Sequence, residues 1–408
     1  MTLNTKGVKM DKMSVRDVEV GGKRVLVRVD FNVPLDEKTG AITDDSRIRA
    51  TLPTIKYLVK RGARVILISH LGRPKGKVVD GLRLTIVAQR LSQILGHQVG
   101  VATDSIGPEV EKSVKRLKSS DVLLLENLRF HSDEETGSAS FARALARLGD
   151  IFVNDAFGTS HRAHASIAGI ANYLPAVAGL LLEKEIKVLG KILKNPEHPF
   201  ASLIGGAKVS DKVGMLKNIM SKVDILLIGG SMASTFLKAK SFEVGQSAIE
   251  ADRVDTAVEL IEKATKNGVR LLLPVDVVVT DVKNEAEVKI VPIKNILPHL
   301  RIVDIGPQTI AKFSEELRNC RTVFWNGPMG IYEIPQFAAG TQAMASLLGS
   351  LNATTVVGGG STAEIVTDMG LAGKVDFVST GGGASLRFLS GETLPGVEAL
   401  LDKKHLSK

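Results

Sequence analysis

The chain has 408 residues, 44% apolar and 4% aromatic, with a formal net charge of +9 and one cysteine, Cys320. That length exceeds one ordinary core and suits two domains of about 200 residues each, while a lone thiol excludes an internal disulfide and fits a reducing compartment. With no apolar leader and no run of about 18 apolar residues, the expectation is a soluble, cytoplasmic chain with no membrane partner. Its basic residues are spread out without aromatic interleaving, which favours small polyanions over nucleic acid.

In chain order, the pattern predicts strands at Arg24–Val29, Ala63–Ile68, Gln98–Val101, Val122–Leu125 and Ile151–Val153. Helical periodicity falls between them, at Ile48–Lys60, Thr85–Leu95, near Glu109–Leu117 and at Ala139–Leu148. This alternation predicts a mainly parallel sheet. Polar clusters follow the strands: Asp30-Phe31-Asn32, Ser69 to Pro74, Glu126 to His131, and Asn154 to Thr159 running on to His161-Arg162-Ala163-His164. Open parallel sheets bind ligands beyond the carboxyl ends of their strands, so a compact multivalent anion would meet several guanidinium forks at once. His97 and His131 lack such support and read as structural.

Ala178–Lys194 is an amphipathic helix, with Leu182, Ile186, Leu189 and Leu193 at helical spacing and a stop at Asn195-Pro196. After it the loops change from arginine and histidine to glycine. Phe200–Ile204 runs into Gly205-Gly206-Ala207-Lys208 and on to Lys212; Asp224–Ile228 into Gly229-Gly230; Leu271–Leu273 into Pro274-Val275-Asp276. Thr322–Trp325 runs into Asn326-Gly327-Pro328, Thr355–Val357 into Gly358-Gly359-Gly360-Ser361-Thr362, and Phe377–Ser379 into Thr380 to Ser385. Glycine lets backbone N–H groups approach phosphate oxygens, and each following helix turns its N-terminus to the anion. The dinucleotide and P-loop fingerprints are absent, since Gly72 to Lys77 is one residue short of the latter, and no zinc spacing or nucleophile elbow occurs.

The stretches Arg28 to Pro34, SHLGRP at Ser69–Pro74, ENLRFH at Glu126–His131, NDAFG at Asn154–Gly158, GGAK at Gly205–Lys208, Asn326-Gly327-Pro328 and STGGGAS at Ser379–Ser385 occur in one order. In that order they resemble the motifs of the phosphoglycerate kinase family across nearly the whole chain. The resemblance implies two doubly wound, Rossmann-like α/β domains with parallel sheets, joined by an interdomain helix and a hinge: residues 1–177 for the acid substrate, the helix 178–194, residues 195–390 for the nucleotide, and a tail 391–408 returning to the first domain. It implies reversible phosphoryl transfer between 1,3-bisphosphoglycerate and ADP, giving 3-phosphoglycerate and ATP, by a monomer with Mg²⁺ delivered on the nucleotide. Position by position, the acid site would fall on Asp30, Phe31, Asn32, Arg47, His70, Leu71, Gly72, Arg73, Arg129 and Arg162. The nucleotide site would fall on Gly206, Ala207, Lys208, Lys212, Asn326, Glu333, Gly358, Gly359, Gly360 and Ser361, with Gly382 and Gly383 receiving the transferred group. Arg47, Lys208, Gly382 and Gly383 are the catalytic candidates, with Arg47 and Lys208 as the cations on the group in flight. Where many members read GGGDT this chain has Ser361, which leaves the metal contact open; Arg387 stands where a glutamate is usual. The alternatives are another two-domain kinase of a phosphorylated small acid, or a basic nucleotide- or nucleic-acid-binding protein.

Overall fold

The computed structural model describes residues 11–282 and 284–403, which fall into two compact units. Residues 11–187 with 393–403 form the first and 188–392 the second, so the division lies inside one helix.

Unit 1 runs β1 (Arg24–Arg28), α1 (Ser46–Lys60), β2 (Arg64–Ile68), α2 (Thr85–Leu95), β3 (Val99–Val101), α3 (Pro108–Lys115), β4 (Val122–Leu124), α4 (Ser132–Thr136), α5 (Ala139–Ala146), β5 (Ile151–Asn154), β6 (Ala176–Ala178) and the start of α6 (Leu180–Lys194). Its sheet has the order β3-β4-β2-β1-β5-β6, every pair parallel. The strands are apolar runs because helices cover both faces: Val25, Leu26 and Val27 are all buried. On α1 the buried Ile48, Thr51, Ile55 and Leu58 follow a 3.6-residue period toward the sheet. The order reverses at β1, with β2 on one side and β5 on the other, and such a reversal opens a crevice at the strand ends.

Unit 2 continues with β7 (Phe200–Ile204), α7 (Val213–Ile219), β8 (Ile225–Ile228), α8 (Met232–Ala239), α9 (Val254–Lys266), β9 (Arg270–Leu272), β10 (Asp276–Asp281), β11 (Asn284–Pro292), β12 (Leu300–Ile305), α10 (Pro307–Arg318), β13 (Thr322–Asn326), α11 (Ala339–Leu348), β14 (Thr354–Gly358), α12 (Gly360–Asp368), β15 (Phe377–Val378) and α13 (Gly383–Leu389). The parallel sheet has the order β15-β14-β13-β7-β8-β9 and reverses between β7 and β13. A short α14 (Pro395–Glu398) belongs to unit 1, where Leu401 N–H donates to Ala176 O at 2.9 Å and Lys12 Nζ to Leu400 O at 2.9 Å.

Two elements differ from the sequence reading. Ala178 belongs to β6, opposite Asn154, and the helix starts at Leu180. The reason is Asp155, fully buried, whose Oδ1 accepts the Leu181 and Leu182 N–H groups at 2.9 and 3.2 Å and so caps the first turn. Asp276 does not close a parallel strand; it opens β10, the centre of an antiparallel sheet β11-β10-β12 with its own core of Val277, Val279, Ile296 and Leu300. Its carboxylate accepts Gln308 N–H at 3.0 Å and Thr309 N–H at 2.7 Å at the start of α10.

A Cβ at Gly179 would stand 2.1 Å from Asp155 Oδ1. Gly179→Ala therefore displaces the cap of α6, and loss of a cap is worth about 2 kcal/mol at the upper end. The expected result is a lower urea midpoint and faster amide exchange at Leu181 and Leu182; unchanged exchange there would show that Asp155 does not hold the helix start.

Candidate active site

At the strand ends of unit 1 the first polar group is Arg28, the last residue of β1 and 1% exposed. Its guanidinium donates to Ser166 Oγ at 2.9 Å, to the Val29 carbonyl and to His70 Nδ1 at 3.1 Å. The charge is balanced through Ser166, whose N–H and hydroxyl donate to the buried carboxylate of Glu134 at 2.9 and 2.6 Å. A guanidinium can only donate, so Nδ1 of His70 is an acceptor and the ring proton sits on Nε2. Burial, then Arg28, Arg129, Arg162 and Arg47, push the imidazole well below its usual range. Four guanidinium groups thus act on one neutral ring.

The remaining positions join this cluster. Arg47, in the first turn of α1, donates to Asp30 at 2.6 Å while its side chain stays 38% exposed. Asn32 Oδ1 accepts Gly72 N–H at 2.8 Å, and Arg129, 4% exposed, donates to Gly72 O at 2.7 Å and pairs with Glu135 at 3.2 Å. Phe31 is buried, its N–H held by Ser69 Oγ at 2.9 Å, and Leu71 is clamped by Asn127, which accepts its N–H at 3.3 Å and donates to its carbonyl at 2.8 Å. Arg162 is half-buried beside His161; Arg73 is exposed and repels Arg129. Two further groups belong to the cluster: Arg28, which in the sequence is hidden inside an apolar strand, and His164, the last residue of the HRAH run. Burial, then Arg162, lower His164 to about 4. His131 is structural, bonded to Asp104 at 2.6 Å and tilted on Phe141.

In unit 2 the candidate residues flank the sheet reversal, after β7 and at the end of β13. The loops touch backbone to backbone: Gly205 N–H donates to Asn326 O at 2.9 Å, Gly206 N–H to Pro328 O at 2.8 Å, and Gly230 N–H to Met329 O at 3.0 Å. A Cβ on Gly205 would meet Pro328 O at 2.1 Å, so the sequence needs glycine there. Lys212, 7% exposed, donates from Nζ to Asn326 O at 3.3 Å and to Asn326 Oδ1, and burial pushes it down to about 8. Asn326 Nδ2 is buried without a hydrogen-bond partner. Gly358 ends β14, Gly359 takes a positive φ of 95° before α12, and Gly360 and Ser361 lie exposed in its first turn. Ala207, Lys208 and Glu333 are exposed, and Gly382, with φ 49°, precedes Gly383 at the start of α13.

Two parallel α/β units, one presenting guanidinium groups and the other ammonium groups and glycine turns at their strand ends, define a protein that handles phosphorylated ligands. The family model described as phosphoglycerate kinase matches residues 15–392. Phosphoglycerate kinases of Pelotomaculum thermopropionicum and Moorella thermoacetica are each 54% identical over 395 residues, covering 97% of this chain and 100% of the relative. The solved phosphoglycerate kinase of Coxiella burnetii superposes with a TM-score of 0.85 at 39% identity, covering 95% of this chain and 98% of that one. The chain belongs to the phosphoglycerate kinase family. It is a glycolytic phosphotransferase with a carboxyl group as acceptor, transferring a phosphoryl group reversibly between 1,3-bisphosphoglycerate and ADP.

His164 gives the cluster a pH signature. Below about 6.5 the unfolded chain protonates this imidazole while the folded one does not until about 4. Stability is therefore full above 6.5, falls as pH drops through that window, and levels off below it. His164→Gln should flatten that slope in denaturant titrations at pH 4 to 7; an unchanged slope would remove His164 as its source.

Proposed function

We propose that unit 1 holds the acid substrate and unit 2 the nucleotide, and that Arg47 and Lys208 bracket the group in flight. The observation that carries this reading is the clustering at the strand ends of Arg28 on His70, Arg47 on Asp30 and Arg129 on the Gly72 carbonyl. With Arg73 and Asn32 they form a receptor for a phosphorylated small carboxylic acid, whose remote phosphate supplies binding energy away from the reacting bond. The glycine turns at Gly206, Gly358 and Gly359, with Lys208, Lys212 and Asn326, offer only donors, which suits the oxygens of a nucleotide polyphosphate; Glu333, exposed beyond Asn326, is free to meet the ribose. Gly382 and Gly383, at the start of α13, receive the transferred group in this proposal. The acyl phosphate's leaving group is a carboxylate of low basicity, so the step needs positioned cations and no general base. Since direct transfer brings donor and acceptor together, closure about α6 is part of the proposal, and it also keeps water from the acyl phosphate.

The donor set of unit 2 does not match a cation. Among the described residues no group of three or more His, Cys, Asp or Glu could hold a metal, and Ser361 brings a hydroxyl where a carboxylate would grip one. The proposal is that Mg²⁺ comes with ATP or ADP. Among the described residues no helix is long and apolar enough to cross a membrane, and a cytoplasmic monomer without nucleic-acid partners is the state we propose.

Turnover of ATP with 3-phosphoglycerate by the purified protein in a coupled assay tests the reading, and Arg47→Ala should lower kcat about 10³-fold with a smaller effect on acid affinity. Arg47→Lys should restore little because the fork is lost. A near-normal kcat would take Arg47 out of the mechanism.

Ser361→Asp should tighten binding of Mg-ADP relative to metal-free ADP without being needed for turnover. Affinities of both chains with and without Mg²⁺ decide it. If the wild type already gains strongly from the metal and the added carboxylate changes nothing, another residue holds the metal.

A further inference from the structure

Lys212 does something the proposed roles leave unexplained. Lys212 is 7% exposed, its ammonium lies against two neutral acceptors, the backbone carbonyl and the Oδ1 of Asn326, and among the described residues no carboxylate pairs with it. The ionisable group acting on it is its exposed chain neighbour Asp211. Because Oδ1 of Asn326 is taken by Lys212, the amide turns its Nδ2 donor the other way, where it is buried without a partner. A Cβ at Gly359 would lie 2.8 Å from that nitrogen, so the glycine keeps the space in front of it open. One anionic oxygen placed there would satisfy the orphan donor and bring a buried cation its missing counter-charge.

The geometry points to nucleotide binding that takes up a proton at Lys212: the empty site tolerates the neutral amine, and the arriving phosphate stabilises the ammonium. This rests on the reading of unit 2 as the nucleotide site. Burial lowers the free lysine to about 8, with Asp211 opposing the shift. A bound phosphate oxygen moves it up again. Below pH 7 the lysine is already charged and affinity is flat in pH from this source. Above pH 8 the proton must be gained on binding, and affinity falls toward tenfold per pH unit. The phosphates are fully ionised in that range, with their last ionisation near pH 6, so the ligand does not share in the titration.

The experiment is calorimetry of ADP with the whole protein from pH 7 to 8.5, in two buffers of different protonation enthalpy, with and without Mg²⁺. The expected result is net proton uptake on ADP binding in the wild type, growing as pH rises from 7 to 8.5, and none in Lys212→Arg, which is charged throughout. Asp211→Asn, which leaves the hydrogen bonds of Lys212 in place, should move the fall in affinity to lower pH, and it serves where the arginine does not fit the buried space. ADP binding with no proton uptake overturns the inference, as does uptake that persists in Lys212→Arg or an affinity profile that Asp211→Asn leaves in place. Failure to bind ADP at all would instead overturn the assignment of the nucleotide to unit 2.

Discussion

Unit 1 depends on one buried charge arrangement, Arg28 balanced by Glu134 across the hydroxyl of Ser166. Both ionic groups are essentially inaccessible, Arg28 at 1% and Glu134 at 0%, and a buried ion without a partner would be strongly destabilising. The hydroxyl lets each charge keep a hydrogen bond where the ions themselves do not meet. Because the same guanidinium donates to His70 Nδ1, the arrangement also sets the tautomer of that buried ring. A cluster of cations would otherwise drive its own strand ends apart. Asp30 against Arg47 and Glu135 against Arg129 offset the rest of that repulsion.

Unit 2 solves a different problem, how to bring three loops close enough for their N–H groups to converge. Hydrogen bonds between Gly206 and Pro328 and between Gly230 and Met329 lock the turns after β7, β8 and β13 into one surface. Gly230 has φ of 63° and its Cβ would meet Gly206 N at 2.4 Å, so neither sterics nor conformation allows another residue. Gly327 N–H is held in turn by Thr362 Oγ1 at 2.7 Å, which ties β13 to the first turn of α12. The glycines act through what they leave out.

The parallel architecture was legible because apolar strands buried on both faces stand out from amphipathic helices, and the strand-end rule then pointed to the polar clusters that contain Asp30, His70, Arg129, Lys212 and Asn326, from which the family resemblance picks out the individual residues. What stayed hidden depended on partners far along the chain. Arg28 sits in RVLVRV as though it were the solvent-side residue of a strand, and only Glu134 and Ser166, more than a hundred positions away, make it a buried cation. For Asp276 the sequence does not show that the helix its carboxylate caps is α10 or that its strand pairs antiparallel on both sides. Ala178 was read as helix because helical spacing cannot show that Asn154 lies opposite it in the sheet.

The two units therefore treat charge in opposite ways. In unit 1 the guanidinium groups of Arg47 and Arg129 already hold carboxylates, so on the proposed assignment the acid shares or displaces Asp30 and Glu135, and the exchange of one anion for another favours a ligand that engages several forks together. In unit 2, among the described residues, Lys212 has no carboxylate to give up and the buried Nδ2 of Asn326 has no hydrogen-bond partner. The first arrangement gains selectivity from competition, since a single weak anion does not replace the internal pairs. The second gains affinity from a charge deficit that burial has built in, since any phosphate oxygen reaching it relieves an unsatisfied donor and an uncompensated ammonium in one step. Such a division suits a small polyanionic acid that must be told apart from other acids and a nucleotide held chiefly by its phosphates.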